Sequence, residues 1–250
     1  NPLLEVTDIP ALALLARRHR LQLVVDNTFT PMIISPANLG ADVVIHSLTK
    51  FINGTSDTVA GVICARHELI HQLSDVHSGT VMLLGPVMDS VRAASVLKNL
   101  HSLHVRIKQH SANAAFLAQR FLEYGVKVRY PGLTRHPQHE LMKQMMNGDF
   151  GFGGMIVLNL DTKERAYTLM EKMQQANLGY LAVSLGFYKT LFSSPGSSTS
   201  SEIPQEERKA MGLTDGLVRM SIGLDEAMPD TWARLKPCLD EVEKMRVVVE

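Results

Sequence analysis

The 250-residue sequence predicts an α/β fold, and three observations carry that expectation. Short apolar, β-branched runs recur at residues 21–26, 43–46 and 59–64. A helical pattern precedes the first run, and a long helical stretch follows the third. Beyond that stretch, strand and helix patterns alternate again.

Taken in order, Asp8 opens the first helix as its cap, with Pro10 tolerated in the opening turn. Leu12, Leu14, Leu15 and Ala16 give this helix an apolar side, and Arg17, Arg18, His19 and Arg20 complement its C-terminal dipole. The three strands follow. From Pro86 to about Tyr124 apolar residues keep helical spacing through Val91, Ala94, Leu97, Leu100, Ala114, Leu117, Ala118 and Phe121. One average helix is shorter than this, so a break is expected near 101–104. Residues 126–130 and 155–160 read as strands. Asp161-Thr162-Lys163-Glu164 opens a helix with a capping-box-like arrangement. Residues 217–221 form a strand and 230–247 a last helix, which Pro237 should kink or interrupt. The serine-rich stretch 193–201, with Pro195 and Gly196, reads as a loop, and there is no tandem repeat.

Bulk properties exclude several classes. Basic and acidic residues balance at 25 each, so no nucleic-acid-binding surface is indicated. No apolar run approaches the roughly 20 residues of a membrane span. Cys64 and Cys238 are the only cysteines, which leaves no disulfide framework and no zinc spacing; both read as buried small residues. The 13 methionines read as core filler.

The chemistry concentrates in Asp42-Val43-Val44-Ile45-His46-Ser47-Leu48-Thr49-Lys50-Phe51-Ile52-Asn53-Gly54. An apolar strand runs into hydroxyl residues, then a lysine, then a glycine turn. This suits a lysine held as a Schiff base to pyridoxal 5'-phosphate (PLP). Ser47 and Thr49 can hold a phosphate while the Lys50 amine reaches an aldehyde. Such an amine must be neutral part of the time, which a partly desolvated pocket with cationic neighbours favours. The plain alternative is an exposed lysine after an edge strand. Asp26 ends the first strand, where open α/β sheets bind ligands. A carboxylate there can keep the pyridine nitrogen of PLP protonated; the alternative is a cap on the next turn. Arg219 lies in an apolar strand and, if buried, must be paired. It either grips the carboxylate of an amino acid in bidentate fashion or makes an internal salt bridge.

Two patterns carry less. Gly151-Phe152-Gly153-Gly154 precedes a strand instead of opening a helix, so it reads as a turn and not a phosphate loop. His136 and His139 enclose Pro137 and lack a third ligand, so no metal site is expected.

In order along the chain, the sequence resembles the Cys/Met-metabolism (transsulfuration) family of PLP-dependent enzymes. The resemblance rests on Asn1-Pro2, Val24-Val25-Asp26-Asn27-Thr28-Phe29, His46-Ser47-Leu48-Thr49-Lys50-Phe51, Tyr130-Pro131-Gly132-Leu133, His136-Pro137-Gln138-His139, Val183-Ser184-Leu185-Gly186 and Gly216-Leu217-Val218-Arg219-Met220-Ser221-Ile222-Gly223. It covers essentially the whole chain. Within the family it is most similar to the plant-type methionine γ-lyases, through Leu83-Leu84-Gly85-Pro86 and Gly196-Ser197-Ser198-Thr199-Ser200-Ser201.

The resemblance implies an aminotransferase-like PLP fold of type I. Residues 1–101 would form the C-terminal part of the PLP-binding large domain, with part of its sheet, and 102–250 a smaller α+β C-terminal domain. It implies Lys50 as the catalytic lysine and Asp26, Ser47 and Thr49 as cofactor partners. Ser184, Thr199 and Arg219 would surround the substrate carboxylate, and Asn1 would face the substrate. It further implies a homo-oligomer, a tetramer built as a dimer of dimers, acting on a small sulfur amino acid in the cytoplasm. No metal, nucleic acid or membrane is expected.

Two departures stand out. Thr55 replaces the usual histidine or glutamine after the glycine of the lysine block, so the tip beyond Lys50 should be shaped differently. The chain also opens on Asn1, where family members are already well into the cofactor domain. The preceding segment, with its ring-stacking tyrosine and further phosphate donors, is expected to be missing, and targeting stays open.

The implied activity is a carbon–sulfur lyase that converts L-methionine to methanethiol, 2-oxobutanoate and ammonia, with Lys50 removing the α-proton. The cystathionine enzymes of the family typically carry glutamate where this chain has Val183; a valine suits an uncharged thioether. Cystathionine γ-lyase, cystathionine γ-synthase and O-acylhomoserine sulfhydrylase remain alternatives, as do an aminotransferase on the same fold and an inactive truncated paralogue.

Overall fold

The computed structural model describes residues 2–197, 203–225 and 227–245. Helix α1 (Ile9–Arg18) starts as expected, with the Asp8 carboxylate accepting from Ala11 N at 2.9 Å. Of its expected apolar side only Ala16 is buried. Ile9, Ala13 and Ala16 are buried, while Leu12, Leu14 and Leu15 face solvent. The small residues win the inner face because the backbone at Gly40 comes very close. A Cβ on Gly40 would lie 2.8 Å from Ala13 Cβ.

A three-stranded sheet follows, in the order β1 (Val24–Asp26), β2 (Val43–Ser47), β3 (Gly61–Ala65). β1 and β2 are parallel, with Asp26 opposite Ile45. β2 and β3 are antiparallel, with Ser47 opposite Gly61. The first strand is shorter than expected because Leu21 N still bonds back to Ala16 O at 2.9 Å, and Leu23 N takes the Asp42 carboxylate at 2.9 Å. The third begins two residues later than expected. Ala60 is tied to the Thr49 hydroxyl, and Val59 is exposed. Cys64, expected to be buried, is exposed on this edge strand; Cys238 is buried.

Helices α2 (His67–Leu73), α3 (Thr80–Leu84), α4 (Ser90–Leu100) and α5 (Leu103–Tyr124) come next. The Asp89 carboxylate caps α4 through Val91 N and Arg92 N. The chain breaks between α4 and α5 within the expected stretch. α5 stops at Gly125, whose φ of +94° is the left-handed stop that glycine tolerates.

The remaining elements are β4 (Lys127–Arg129), α6 (His139–Met145), β5 (Met155–Asn159), α7 (Lys163–Gln175), β6 (Tyr180–Leu181), β7 (Leu191–Ser193), α8 (Gln205–Ala210), β8 (Leu217–Ser221) and α9 (Met228–Lys244). They build a five-stranded sheet in the order β4-β5-β8-β7-β6, antiparallel except for the last pair. Thr162, not Asp161, caps α7, accepting from Arg165 N at 3.3 Å. α9 runs through Pro237 without the expected interruption. Its inner side chains Leu235, Leu239 and Val242 are fully packed and hold the helix in place.

The alternation of β5 joins the two halves of the molecule. Ile156 and Leu158 enter a core with Phe121, Leu169, Val218, Met220 and Leu239. Met155 and Val157, on the opposite face, pack with Ile33, Phe51, Ile107 and Leu185. Each fully buried side chain of this size contributes about 1.5–3 kcal/mol. Phe51 and Ile52, next to Lys50, are thus anchored in a core shared with the five-stranded sheet. Of the methionines, Met170, Met173 and Met220 are core filler, while Met82 and Met211 are exposed. Among the described residues no helix is long and apolar enough to cross a membrane.

Candidate active site

Strand β2 ends at Ser47, and the chain then makes one wide turn, Leu48–Ile52, of π-helical type. Asn53 N closes it onto Leu48 O at 2.9 Å and Gly54 N onto Lys50 O at 2.8 Å. Phe51 and Ile52, which follow Lys50, are buried in the core, while Lys50 lines a cavity. Lys50 itself leaves helical backbone, with φ −91° and ψ −132°.

The amine of Lys50 donates to Ser184 Oγ at 2.8 Å. Ser184 stands in the segment between β6 and β7, and that segment is seated by Gly186. Gly186 has φ +76°, and a Cβ there would lie 2.3 Å from Phe51 N. Its N–H donates to the buried Ser221 hydroxyl at 2.8 Å. Only glycine permits this contact, so the lysine turn and the Ser184 segment are locked backbone to backbone.

Arg219 lies in β8, opposite Val157 and Ser193, and is buried. Burial pulls its guanidinium below the usual arginine range. Desolvation, followed by the positive charge of Arg219, holds the Lys50 amine below the ordinary lysine range. Asp26 leaves the end of β1, and its carboxylate accepts from Thr28 N at 3.0 Å. Thr28 Oγ1 in turn accepts from Ser47 N at 2.8 Å, so Asp26 and Ser47 are tied at the strand ends. Asp26, Ser47, Lys50, Val183 and Arg219 line one cavity of about 690 Å³, whose apolar wall includes Phe29, Met142 and Phe152.

One expected residue stands elsewhere, and two are not described. The Thr49 hydroxyl donates to Ala60 O at 3.3 Å and accepts from Ala60 N at 3.0 Å, which spends its single proton on the backbone instead of the cavity. Asn1 and Thr199 lie outside the described residues. His136 and His139 are not a metal pair. His139 Nδ1 is bound to Pro131 O at 2.8 Å and its ring stacks on Phe152, while His136 Nδ1 accepts from Gln138 N at 3.2 Å. Gly151 and Gly153, at φ +72° and +90°, make the expected turn.

The tip after Lys50 is organised by Thr55 and Asp57. Asn53 Nδ2 donates to Asp57 Oδ1 at 2.7 Å and Thr55 Oγ1 at 3.0 Å, and Thr55 donates to Asp57 at 2.8 Å. These bonds, Asn53 first and Thr55 second, hold the Asp57 carboxyl below its usual range. Sequence reasoning misses this network, and it misses Arg106, whose guanidinium grips the carbonyls of Phe51 and Ile52. The available signal is an arginine one residue from buried Ile107 and three from buried Leu103.

PLP needs an amine that is neutral part of the time, a carboxylate for its ring nitrogen and hydroxyl or N–H donors for its phosphate. Lys50, Asp26 and Ser47 bring these groups to one cavity, and the depressed Lys50 amine is the observation that fits an aldehyde.

A family model described as Cys/Met metabolism PLP-dependent enzyme matches residues 1–239. The chain is 45% identical over 237 residues to methionine gamma-lyase of Arabidopsis thaliana, which covers 94% of this chain and 54% of that protein. It is 39% identical over 248 residues to cystathionine beta-lyase of Lactococcus lactis subsp. cremoris (strain MG1363), covering 96% of this chain and 62% of that protein. The crystal structure of cystathionine gamma synthase from Xanthomonas oryzae pv. oryzae in complex with aminoacrylate and cysteine superposes with a TM-score of 0.89 at 33% identity, over 98% of this chain and 62% of that one. The chain thus spans between half and two thirds of the length of these relatives.

Proposed function

This chain belongs to the family of Cys/Met metabolism PLP-dependent enzymes, and we propose that it serves a carbon–sulfur lyase. The reaction takes L-methionine and water to methanethiol, 2-oxobutanoate and ammonia. The observation that carries the reading is one cavity in which Lys50, Asp26, Ser47 and Arg219 meet beside an uncharged Val183.

In this proposal Lys50 holds the aldehyde carbon of PLP, Asp26 its ring nitrogen and Ser47 its phosphate. Thr49 joins Ser47 only by exchanging its Ala60 partner for a phosphate oxygen. When bound, PLP supplies a ring that takes up the negative charge left at the substrate α-carbon. Arg219 grips the substrate carboxylate with its planar fork and so fixes which α-bond faces Lys50. Once the substrate amine has displaced it from the aldehyde carbon, the Nζ of Lys50 is free to accept the α-proton, a task suited to an amine held below the usual lysine range. Ser184 accepts a hydrogen bond from that amine and orients it. Val183 offers no charge to a distal ammonium, which favours the thioether of methionine over cystathionine.

Assembly of several copies is part of this proposal. Apolar side chains left in solvent on α1 and α4, such as Leu14, Val91 and Leu97, support it.

The test is product analysis with methionine, cystathionine and methionine plus 2-oxoglutarate as substrates, beside Lys50→Ala. Methanethiol and 2-oxobutanoate from methionine, lost in the variant, are expected. Turnover of cystathionine alone would move the reading to the cystathionine lyases, and formation of glutamate to an aminotransferase.

A further inference from the structure

We propose that Arg106 is the positioning residue for Lys50, holding the turn that carries the lysine by its backbone carbonyls. The functional side of this inference rests on the reading of Lys50 given above. Arg106 Nη1 donates to Phe51 O at 2.5 Å, and Nη2 to Ile52 O at 2.7 Å and Asn99 O at 2.9 Å. Nε donates to Ser102 Oγ at 3.0 Å. The fork thus commits donors on all three nitrogens and ties the lysine turn to the ends of α4 and α5. Among the described residues no carboxylate pairs with Arg106, and burial alone pulls its guanidinium below the usual range.

The turn needs such a partner. Because Lys50 leaves helical backbone and Gly54 turns the chain away at φ +77°, the carbonyls of Phe51 and Ile52 project past the end of the turn with no helix to continue them. Gly54 also makes the room, since a Cβ there would lie 2.6 Å from Arg106 Nη1. With Arg106 on the Phe51 and Ile52 carbonyls and Gly186 pressed against the Phe51 N–H, both peptides that flank Phe51 are held and the turn has one seat. That seat sets where the amine meets Ser184. A lysine at position 106 keeps the charge but cannot span two carbonyls, and an alanine supplies no donor.

The 250-residue chain made as Arg106→Lys and as Arg106→Ala tests this. The readouts are the pH dependence of Lys50 labelling by an amine-directed reagent, followed by mass spectrometry of the Lys50 peptide, and PLP binding by absorbance. A freed turn lets the amine move toward water and away from Arg219. Both variants should therefore remain folded by circular dichroism, label at Lys50 only at higher pH than the parent, and bind PLP about tenfold or more weakly. Millimolar guanidinium ion should return the Arg106→Ala profile toward that of the parent. A parental labelling profile and parental PLP binding in Arg106→Lys would overturn the proposal, as would a folded Arg106→Ala that guanidinium does not rescue. If Arg106→Ala does not fold, Arg106→Lys decides by the same profile. If the parent chain binds no PLP, the reading of Lys50 as the cofactor lysine fails, while the labelling profile still decides the role of Arg106.

Discussion

The Lys50 amine and the Ser184 hydroxyl meet at 2.8 Å across 134 positions of sequence, joining the turn after β2 to the segment between β6 and β7. Lys50→Ala should abolish covalent PLP binding. Ser184→Ala should keep it but weaken it, because the amine loses the partner that orients it while its reactive atom remains. An absorbance titration of both variants with PLP checks this; equal binding by Ser184→Ala and the parent would remove Ser184 from the site.

Gly186 admits no side chain. In Gly186→Ala the new Cβ would sit 2.3 Å from Phe51 N and 2.8 Å from the Lys50 carbonyl carbon, at φ +76°. The left-handed backbone alone costs about 1–2 kcal/mol, and displacing main-chain atoms adds to it. Urea unfolding should show a loss of about 2 kcal/mol or more, with PLP binding impaired in the protein that remains folded.

Arg219→Met removes the cation that, after desolvation, holds the Lys50 amine low. The amine should therefore protonate more readily, and Lys50 labelling should move to higher pH. Arg219→Lys keeps a charge without the fork. It should raise KM for the amino acid more than it lowers kcat, since the lost contact is one made equally in ground and transition states.

Val183→Glu places a carboxylate on the wall of the Lys50 cavity. The ratio of cystathionine to methionine turnover should rise by about tenfold, a difference of roughly 1.4 kcal/mol. An unchanged ratio would show that another position selects the substrate.

His110 makes the fold acid-sensitive. Its Nδ1–H donates to Ile222 O at 2.6 Å, its ring packs edge-on to Phe51, and burial pushes its pKa down from 6.5 to about 4. The unfolded chain binds the proton first, so stability is complete above about pH 6.5 and is lost as the pH falls toward 4. The loss is on the order of 3 kcal/mol. His110→Gln, which keeps a donor for Ile222 O but does not titrate, should flatten the slope of unfolding free energy against pH in that window.

Much of this was legible in the chain. The helix start at Asp8, the helix opening within 161–164 and the end of the long helical stretch near Tyr124 follow from local hydrogen bonding, which a cap residue carries with it. Strand β8 and the lysine turn were readable because an apolar run, hydroxyl residues, a lysine and a glycine each have a local conformational preference. What failed is instructive. Leu12, Leu14 and Leu15 were expected to face the core. Periodicity marks an apolar side but not its partner, and the close approach of Gly40 gave the inner face to alanines. Thr49 reads as a phosphate partner, yet the backbone of Ala60, 11 residues away and just before β3, takes its hydroxyl.

The sequence by itself determined the α/β order of elements, the position of Lys50 after a buried strand and the carboxylate of Asp26 at a strand end. These depend on residue type and near neighbours. Only the tertiary structure decided that Ser184 meets Lys50, that Arg219 shares its cavity and depresses its amine, and that Arg106 and Gly186 both seat the turn. Each of these contacts joins segments far apart in sequence. Their geometry is set by how β5 and β8 pack against Phe51, and no local preference encodes that packing.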